Sequence, residues 1–130
     1  MQRFRVLIID DQEPILFAVH DFLTAQGYEV DCARDLLGAK SLTAGARYAA
    51  VIADLRLSGT GGMEGLEILQ FVKQQSPFTA TILLTAYRSP TVDAEAQRRK
   101  VDAILGKPTP LPILAQVLSE LIEGRDPTMK

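Results

Sequence analysis

Five short apolar runs alternate with five helical stretches along this chain of 130 residues. The first run, Phe4 to Ile9, is apolar on both faces, as a strand must be when helices cover both sides of its sheet. Strands that alternate with single helices form a parallel sheet with right-handed crossovers. We therefore predict a doubly wound, flavodoxin-like α/β fold, with a five-stranded parallel sheet in the order 2-1-3-4-5 and helices on both faces. The strands are predicted at residues 4–9, 28–33, 48–53, 79–84 and 101–105.

Proline and glycine residues mark the ends of several predicted helices. Pro14 lies in the first turn of the first helix, where a missing N–H costs little, and Gly27 is expected to end that helix in a left-handed conformation. Gly124 is expected to end the last helix. The later helices are predicted at about residues 35–43, 64–75, 89–100 and 111–123. This pattern predicts one domain at residues 1–124, followed by a polar tail at residues 125–130.

The composition argues against several kinds of protein. The formal net charge of −2 shows no basic excess, so we expect no direct contact between this domain and nucleic acid. The apolar runs are far too short to span a membrane, and the first residues show no signal-peptide pattern. Cys32 is the sole cysteine, cannot form an internal disulfide and is expected to pack as a small apolar residue. Together these features predict a cytoplasmic protein without membrane contact.

Polar residues follow four of the predicted strands, at the point where each strand ends. They are Asp10 and Asp11 after the first strand, Asp54 after the third, Thr85 after the fourth and Lys107 after the fifth. Parallel α/β sheets carry their functional residues at the carboxyl ends of the strands. In the predicted order the first and third strands are neighbours. Lys107 lies two strand spacings, about 10 Å, from the end of the third strand, a distance that an extended lysine can largely cross.

The residue types at these strand ends suit a divalent cation and a phosphoryl group. Three adjacent carboxylates repel one another, so a compensating cation is needed to keep all of them ionised. Oxygen-only ligands favour Mg²⁺. A carboxylate can attack phosphorus to give an aspartyl phosphate, and that step requires positive charge near the transferred oxygens. Mg²⁺ and Lys107 would supply this charge, and Thr85 would donate a hydrogen bond to the phosphoryl group.

These polar residues lie within or beside the segments LIIDDQEPI, VIADLRL, MEGLEIL, ILLTAY and ILGKP. As a set the segments resemble the receiver domain of two-component response regulators, and the resemblance covers about residues 4–123. It implies that Asp54 accepts a phosphoryl group from a sensor histidine kinase or a phosphotransfer protein. It also implies that Asp11, Asp54 and the backbone carbonyl of Arg56 bind Mg²⁺, with Asp10 assisting through water.

The resemblance further implies a signalling role for the remaining residues of the site. Thr85 and Lys107 would contact the phosphoryl group, and Pro108 would follow Lys107 in the usual pair, often with a cis peptide bond. The domain would act as a switch and not as an enzyme, catalysing only its own phosphorylation and dephosphorylation. The readout would be a changed surface that binds a downstream protein target or output domain.

The loop after Asp54 departs from the receiver pattern. Ser58 stands where receivers commonly have proline, and the glycine-rich stretch at residues 58–62 makes the loop longer than usual. Glycines between a strand and a helix also raise the alternative of a dinucleotide loop. Glu64 occupies the position of the third glycine in that motif, and no Gly-Lys-Ser/Thr follows. We therefore predict a flexible loop beside the acidic site.

Three further positions bear on switching. Many receivers carry an aromatic residue three positions before the lysine, and here that residue is Ile104. Tyr87, two residues after Thr85, is either a rim residue or takes a switching role related to that of the missing aromatic residue. Arg56 and Tyr87 occupy the two positions that flank the acceptor in receivers, and we hypothesise that their bulk hinders the attacking water and prolongs the phosphorylated state.

Two other functions compete with the phosphorylated switch. One is a receiver-fold module that binds partners without phosphorylation, which Ile104 and the long loop favour. The other is a phosphatase with an aspartate nucleophile, although such enzymes carry Asp-x-Asp on the first strand and this chain has Asp10-Asp11-Gln12.

Residues 98–100 are interpreted as a solvated basic face or part of a partner-binding surface. The sequence leaves open a homodimer through the fourth helix, fifth strand and fifth helix, and whether the chain stands alone or belongs to a longer regulator.

Overall fold

The computed structural model describes residues 3–57 and 62–125 and contains five strands and five helices in strict alternation. The strands form one sheet in the order β2-β1-β3-β4-β5, and every neighbouring pair is parallel. This confirms the predicted fold. In chain order the elements are β1 (Arg5–Ile9), α1 (Glu13–Ala25), β2 (Glu29–Ala33), α2 (Leu36–Gly45), β3 (Ala50–Ala53), α3 (Glu64–Gln75), β4 (Ala80–Thr85), α4 (Pro90–Arg98), β5 (Ala103–Gly106) and α5 (Leu111–Arg125).

Two apolar clusters, one on each face of the sheet, form the core. Leu7 and Ile9 of β1 point into the cluster under α2, α3 and α4, whereas Val6 and Ile8 point into the cluster under α1 and α5. All four side chains are buried, because successive side chains of a strand alternate between faces and helices cover both faces here. The runs of apolar residues in the sequence therefore reflect two-sided burial.

The end of α1 has the predicted geometry. Gly27 has a φ of 101°, in the left-handed region. Its N–H donates to the carbonyl of Thr24, and the N–H of Tyr28 donates to the carbonyl of Leu23. These two bonds form a Schellman motif, which satisfies carbonyl groups at the helix end.

Two expectations about single residues were wrong. Gly124 does not end α5, which continues to Arg125, because a glycine lowers helix stability without preventing helical geometry. Cys32 is exposed and not packed as a small apolar residue. It lies on β2, which is an edge strand, and helices that cover the centre of a sheet leave its edge less protected.

The ladders of β3 and β5 begin two residues later than predicted, at Ala50 instead of 48 and at Ala103 instead of 101. Tyr48 and Asp102, just before these strands, make side-chain hydrogen bonds to residues on other elements. Residues 58–61 of the predicted flexible loop and residues 126–130 of the predicted tail lie outside the described residues. Within the described part of the chain, no helix has the length and hydropathy needed to cross a membrane.

Candidate functional site

The register of the sheet brings the predicted strand ends to one edge. The N–H of Asp54 donates to the carbonyl of Ile9 at 2.9 Å, which places the ends of β1 and β3 side by side. Thr85 is the last residue of β4, and the N–H of Lys107 donates to its carbonyl at 2.9 Å. Asp10, Asp54, Thr85 and Lys107 thus reach this edge through ladder hydrogen bonds between neighbouring strands.

Three carboxylates meet at this edge. Asp10, Asp11 and Asp54 each offer an oxygen, and these oxygens all lie within 4.8 Å of one another. Asp10 and Asp54 are buried, with 2% and 8% of their surface exposed, whereas Asp11 is exposed. Such a set of oxygen donors, buried on one side and open on the other, fits a hard divalent cation such as Mg²⁺.

Lys107 reaches across the sheet to the carboxylates. Its Nζ lies 2.7 Å from Oδ2 of Asp10 and 3.5 Å from Oδ1 of Asp54. The structure therefore brings the ammonium group to the acidic cluster, as the extended reach of lysine suggested. An ammonium at this distance from Asp54 can also contact an oxygen of a group attached to that carboxylate.

Thr85 is fully buried beneath the loop that follows β4. Its Oγ1 accepts a hydrogen bond from the N–H of Tyr87 at 3.0 Å. A hydroxyl that accepts one hydrogen bond can still donate its own hydrogen. This hydrogen bond links the Thr85 hydroxyl to the backbone at Tyr87, so the position of one depends on that of the other.

The electrostatics of Asp54 favour a bound cation. Burial raises the pKa of its carboxyl, Lys107 opposes this, and the negative charge of Asp10 raises the pKa further. The N–H of Leu55 donates to Oδ1 at 2.9 Å and also lowers the pKa. Since the net pKa shift is upward, an ionised Asp54 has an electrostatic cost in the folded protein, which a cation shared with Asp10 and Asp11 would relieve.

Replacing Asp54 by asparagine is expected to raise the free energy of unfolding by about 1 kcal/mol at neutral pH without divalent cations. Asparagine keeps an acceptor for the Leu55 N–H and removes a buried charge. Because the pKa of Asp54 is raised in the folded state, Asp54 ionises first in the unfolded state as the pH increases. The wild type therefore loses stability relative to the variant as the pH rises from the pKa of Asp54 in the unfolded state through its higher pKa in the folded state. Urea unfolding of both proteins from about pH 4 to pH 7.5 measures the difference. A less stable variant at neutral pH would contradict this account of Asp54.

Gly65 is a residue of the site that our reading of the sequence missed. A Cβ atom at Gly65 would lie 1.8 Å from the carbonyl oxygen of Asp54, and the Gly65 N–H donates to the carbonyl of Leu55 at 2.9 Å. The first turn of α3 therefore packs directly on the backbone of Asp54. The available signal was a glycine at the second position of a strongly amphipathic helix, where a helix gains nothing from glycine.

Arg56 and Tyr87 stack on each other beside Asp54. The guanidinium carbon of Arg56 lies 3.8 Å from the centre of the Tyr87 ring, a cation–π contact. The Nε of Arg56 is buried and has no hydrogen-bond partner within the described ranges. Tyr87 remains 49% exposed, on the rim. The two residues that we predicted to flank the acceptor thus form one unit that joins the loops after β3 and β4.

Ile104 and Pro108 were also singled out in the sequence. Ile104 is partly buried against the apolar cluster under α2, α3 and α4, and its carbonyl accepts a hydrogen bond from Arg88 at 3.3 Å. The peptide bond between Lys107 and Pro108 is cis, as the resemblance implied.

Comparisons with known proteins agree with this fold. The family model described as "response regulator receiver domain" matches residues 6–119. The response regulator protein PilR of Pseudomonas aeruginosa is 27% identical over 98% of this chain, which covers 28% of PilR. Sporulation initiation phosphotransferase F of Bacillus subtilis is 30% identical over 67% of this chain and 68% of its own length. This chain thus spans less than a third of PilR and about two thirds of the shorter relative.

Solved structures resemble the whole described fold. The CheY-like response regulator receiver domain protein from Methanospirillum hungatei JF-1 has a TM-score of 0.89 and 25% identity, over 95% of this chain and 97% of that one. The signal receiver domain of an HD domain-containing protein from Pseudomonas fluorescens Pf-5 has a TM-score of 0.87 and 29% identity, over 96% and 90% of the two chains.

Proposed function

We propose, because this chain belongs to the response regulator receiver domain family, that Asp54 accepts a phosphoryl group from the phosphohistidine of a sensor kinase or of a phosphotransfer protein. The observation that carries the proposal is the position of Lys107, whose ammonium lies 3.5 Å from the Asp54 carboxylate at the edge of a three-carboxylate cluster. The relative from Bacillus subtilis is named as a phosphotransferase, which agrees with phosphoryl transfer as the chemistry.

The proposed step is an in-line displacement at phosphorus. An oxygen of Asp54 forms the new bond, the bond between phosphorus and the histidine nitrogen breaks, and the electron pair of that bond stays on the imidazole. Asp11, Asp54 and the backbone carbonyl of Arg56 would hold Mg²⁺, with Asp10 assisting through water. When bound there, Mg²⁺ would neutralise negative charge on the transferred oxygens.

The remaining site residues would connect the phosphoryl group with the surface. Lys107 would turn from Asp10 toward the new phosphoryl oxygens, and the hydroxyl of Thr85 would donate to one of them. Since Tyr87 is hydrogen-bonded to that hydroxyl and stacked on Arg56, movement of Thr85 would be transmitted to the loops after β3 and β4. These loops would then favour a different surface, which a downstream protein target or output domain binds.

Intact mass spectrometry after incubation with acetyl phosphate tests the proposal. We expect a phosphoryl adduct that requires Mg²⁺ and is absent from an Asp54→Asn control. An adduct that persists in the control would show that Asp54 is not the acceptor. A complete lack of adduct, with Mg²⁺ still binding in a direct titration, would favour the module that acts without phosphorylation. Steady turnover of p-nitrophenyl phosphate would instead indicate a phosphatase.

Removing the stack of Arg56 on Tyr87 is expected to shorten the lifetime of the phosphorylated state. In an Arg56→Asn, Tyr87→Glu variant, water would reach the aspartyl phosphate more easily, and we expect hydrolysis to be about tenfold faster, or about 1.4 kcal/mol in the barrier. The decay of the adduct mass after removal of acetyl phosphate measures this rate. Arg56→Lys serves as the control for charge, because it retains the positive charge of Arg56 and loses the planar group that stacks on Tyr87. An unchanged half-life in the double variant would refute the shielding role.

A further inference from the structure

A basic cavity lies at the opposite end of the strands from Asp54, near their N-terminal ends. It has a volume of about 610 Å³ and forms where the C-terminal ends of α3 and α4 meet the start of β5. Four cationic side chains line it, Lys73, Arg98, Arg99 and Lys100, in a chain whose net charge is −2. The volume is in the range of cavities that bind ligands or side chains of a partner.

The carboxylates around the cavity do not balance these cations. Glu95 is shared between two guanidinium groups, at 2.8 Å from Arg98 and 3.2 Å from Arg99. Asp102 pairs with Lys73 at 2.8 Å. Among the described residues the lining contains four cations and one carboxylate, Asp102, while Glu95 pairs with two of the cations from outside the lining, so positive charge is in local excess. Such an excess attracts a group of opposite charge.

Lys100 adopts a backbone conformation that is unfavourable for lysine. Its φ is 63°, and it is the position after the C-cap of α4, where glycine is strongly preferred. Its N–H donates to the carbonyl of Gln97, and the N–H of Val101 donates to the carbonyl of Ala96, so the turn itself is a regular helix end. The fold would be more stable with glycine here. A lysine that carries this strain and faces a basic cavity points to a role for its side chain in binding.

An exposed aromatic side chain adjoins the cavity along the chain. Phe78 is 78% exposed and directly follows Pro77, which lines the cavity. Aromatic side chains at the centre of a contact commonly supply much of its binding energy. The combination of excess positive charge and one exposed aromatic ring matches a peptide that has both acidic and apolar residues.

We propose that this cavity docks an acidic peptide segment of a partner protein, with an apolar residue of that segment packing on Phe78. Charge complementarity favours this occupant over nucleic acid, because these four cations line a single cavity, whereas a phosphate backbone is followed by cations along an extended stripe. The proposal goes beyond phosphoryl acceptance and does not depend on it, since the cavity and Asp54 lie at opposite ends of the strands.

Fluorescence anisotropy with a labelled peptide of sequence Glu-Glu-Leu-Glu-Glu-Leu tests the proposal on the full chain. We expect the peptide to bind at low salt and its glutamine counterpart to bind about tenfold more weakly. An Arg98→Glu, Lys100→Glu variant should weaken binding about tenfold. The control Arg3→Glu, Arg47→Glu changes the net charge equally at two exposed residues outside the cavity, and should change binding less than about twofold.

The Lys100→Gly variant separates binding from stability. It removes the strained residue, so we expect a higher melting temperature together with about threefold weaker peptide binding. A higher melting temperature with unchanged binding would overturn the role of Lys100. Phe78→Ser should also weaken binding, while leaving the cations in place.

Other outcomes would reject the proposal as a whole. Equal binding of the acidic and glutamine peptides would show that charge is not recognised. Tighter binding of a labelled single-stranded oligonucleotide than of the peptide would assign the cavity to nucleic acid. A dimer in sedimentation velocity that dissociates in the Arg98→Glu, Lys100→Glu variant would assign it to a second copy of this chain.

Discussion

Replacing Gly65 by alanine is expected to lower the free energy of unfolding by about 3 kcal/mol. The new methyl group would lie 1.8 Å from the carbonyl oxygen of Asp54 and 2.9 Å from the Cα of Leu55. Both contacts are with backbone, so neither can be relieved by a side-chain rotation. Either α3 or the loop after β3 must move, and the hydrogen bond between the Gly65 N–H and the Leu55 carbonyl would be weakened. Urea unfolding measures the loss of stability.

The same substitution is expected to impair phosphoryl acceptance. A displacement of about 1 Å at a reacting group can cost on the order of a hundredfold in rate, so adduct formation should slow severely. Gly124→Ala provides a matched control, because Gly124 also lies in a helix and a Cβ there meets nothing within 4 Å. We expect that control to be more stable than the wild type by up to about 1 kcal/mol, through helix propensity. If both variants gained stability, the close approach of α3 to Asp54 would be wrong.

Replacing Asp102 by alanine is expected to cost about 3 kcal/mol of stability, the second large effect. Oδ2 of Asp102 accepts hydrogen bonds from the N–H and the hydroxyl of Thr81, at 2.8 and 3.1 Å, and from Lys73 at 2.8 Å. The side chains of Lys73 and Asp102 are only 14% and 16% exposed, so solvent screens their charges poorly. The ammonium of Lys73 also donates to the carbonyl of Thr79, and this network fastens the end of α3 to the starts of β4 and β5.

A double-mutant cycle separates the pair from the rest of the network. Lys73→Met should be less damaging than Asp102→Ala, because Asp102 would retain both hydrogen bonds from Thr81, and the double variant should be more stable than the sum of the two losses predicts. Asp21→Ala is a suitable control, since Asp21 is exposed and its loss should change stability by less than about 0.5 kcal/mol. Equal effects of Asp102→Ala and Asp21→Ala would show that the network adds no stability.

The positions of the candidate site residues could be read from the sequence because each follows an apolar run. Asp10, Asp54 and Lys107 are each the first residue after a strand, so the topology alone places them at one edge of a parallel sheet. Their chemical roles remain predictions that the acetyl phosphate experiment addresses. The distances, 2.7 Å from Lys107 to Asp10 and 3.5 Å to Asp54, depend on how a flexible side chain crosses two neighbouring strands.

Contacts between distant parts of the chain could not be read in this way. Lys73 and Asp102 are 29 residues apart and occupy positions where charged residues are ordinarily solvated. The stack of Arg56 on Tyr87 joins two loops whose separation depends on the packing of the sheet. Cys32 is exposed because β2 is an edge strand, which is a property of strand order and not of the local pattern.

The sequence by itself determined the number, type and order of the elements, because strands and helices follow from local periodicity and burial on one or two faces. It also determined which polar residues stand at the strand ends. Only the tertiary structure decided how closely α3 approaches Asp54, which cations gather around Lys100, and where the side chain of Lys73 finds its partner. These features depend on the angles and distances at which whole elements pack, and no short stretch of sequence encodes those quantities alone.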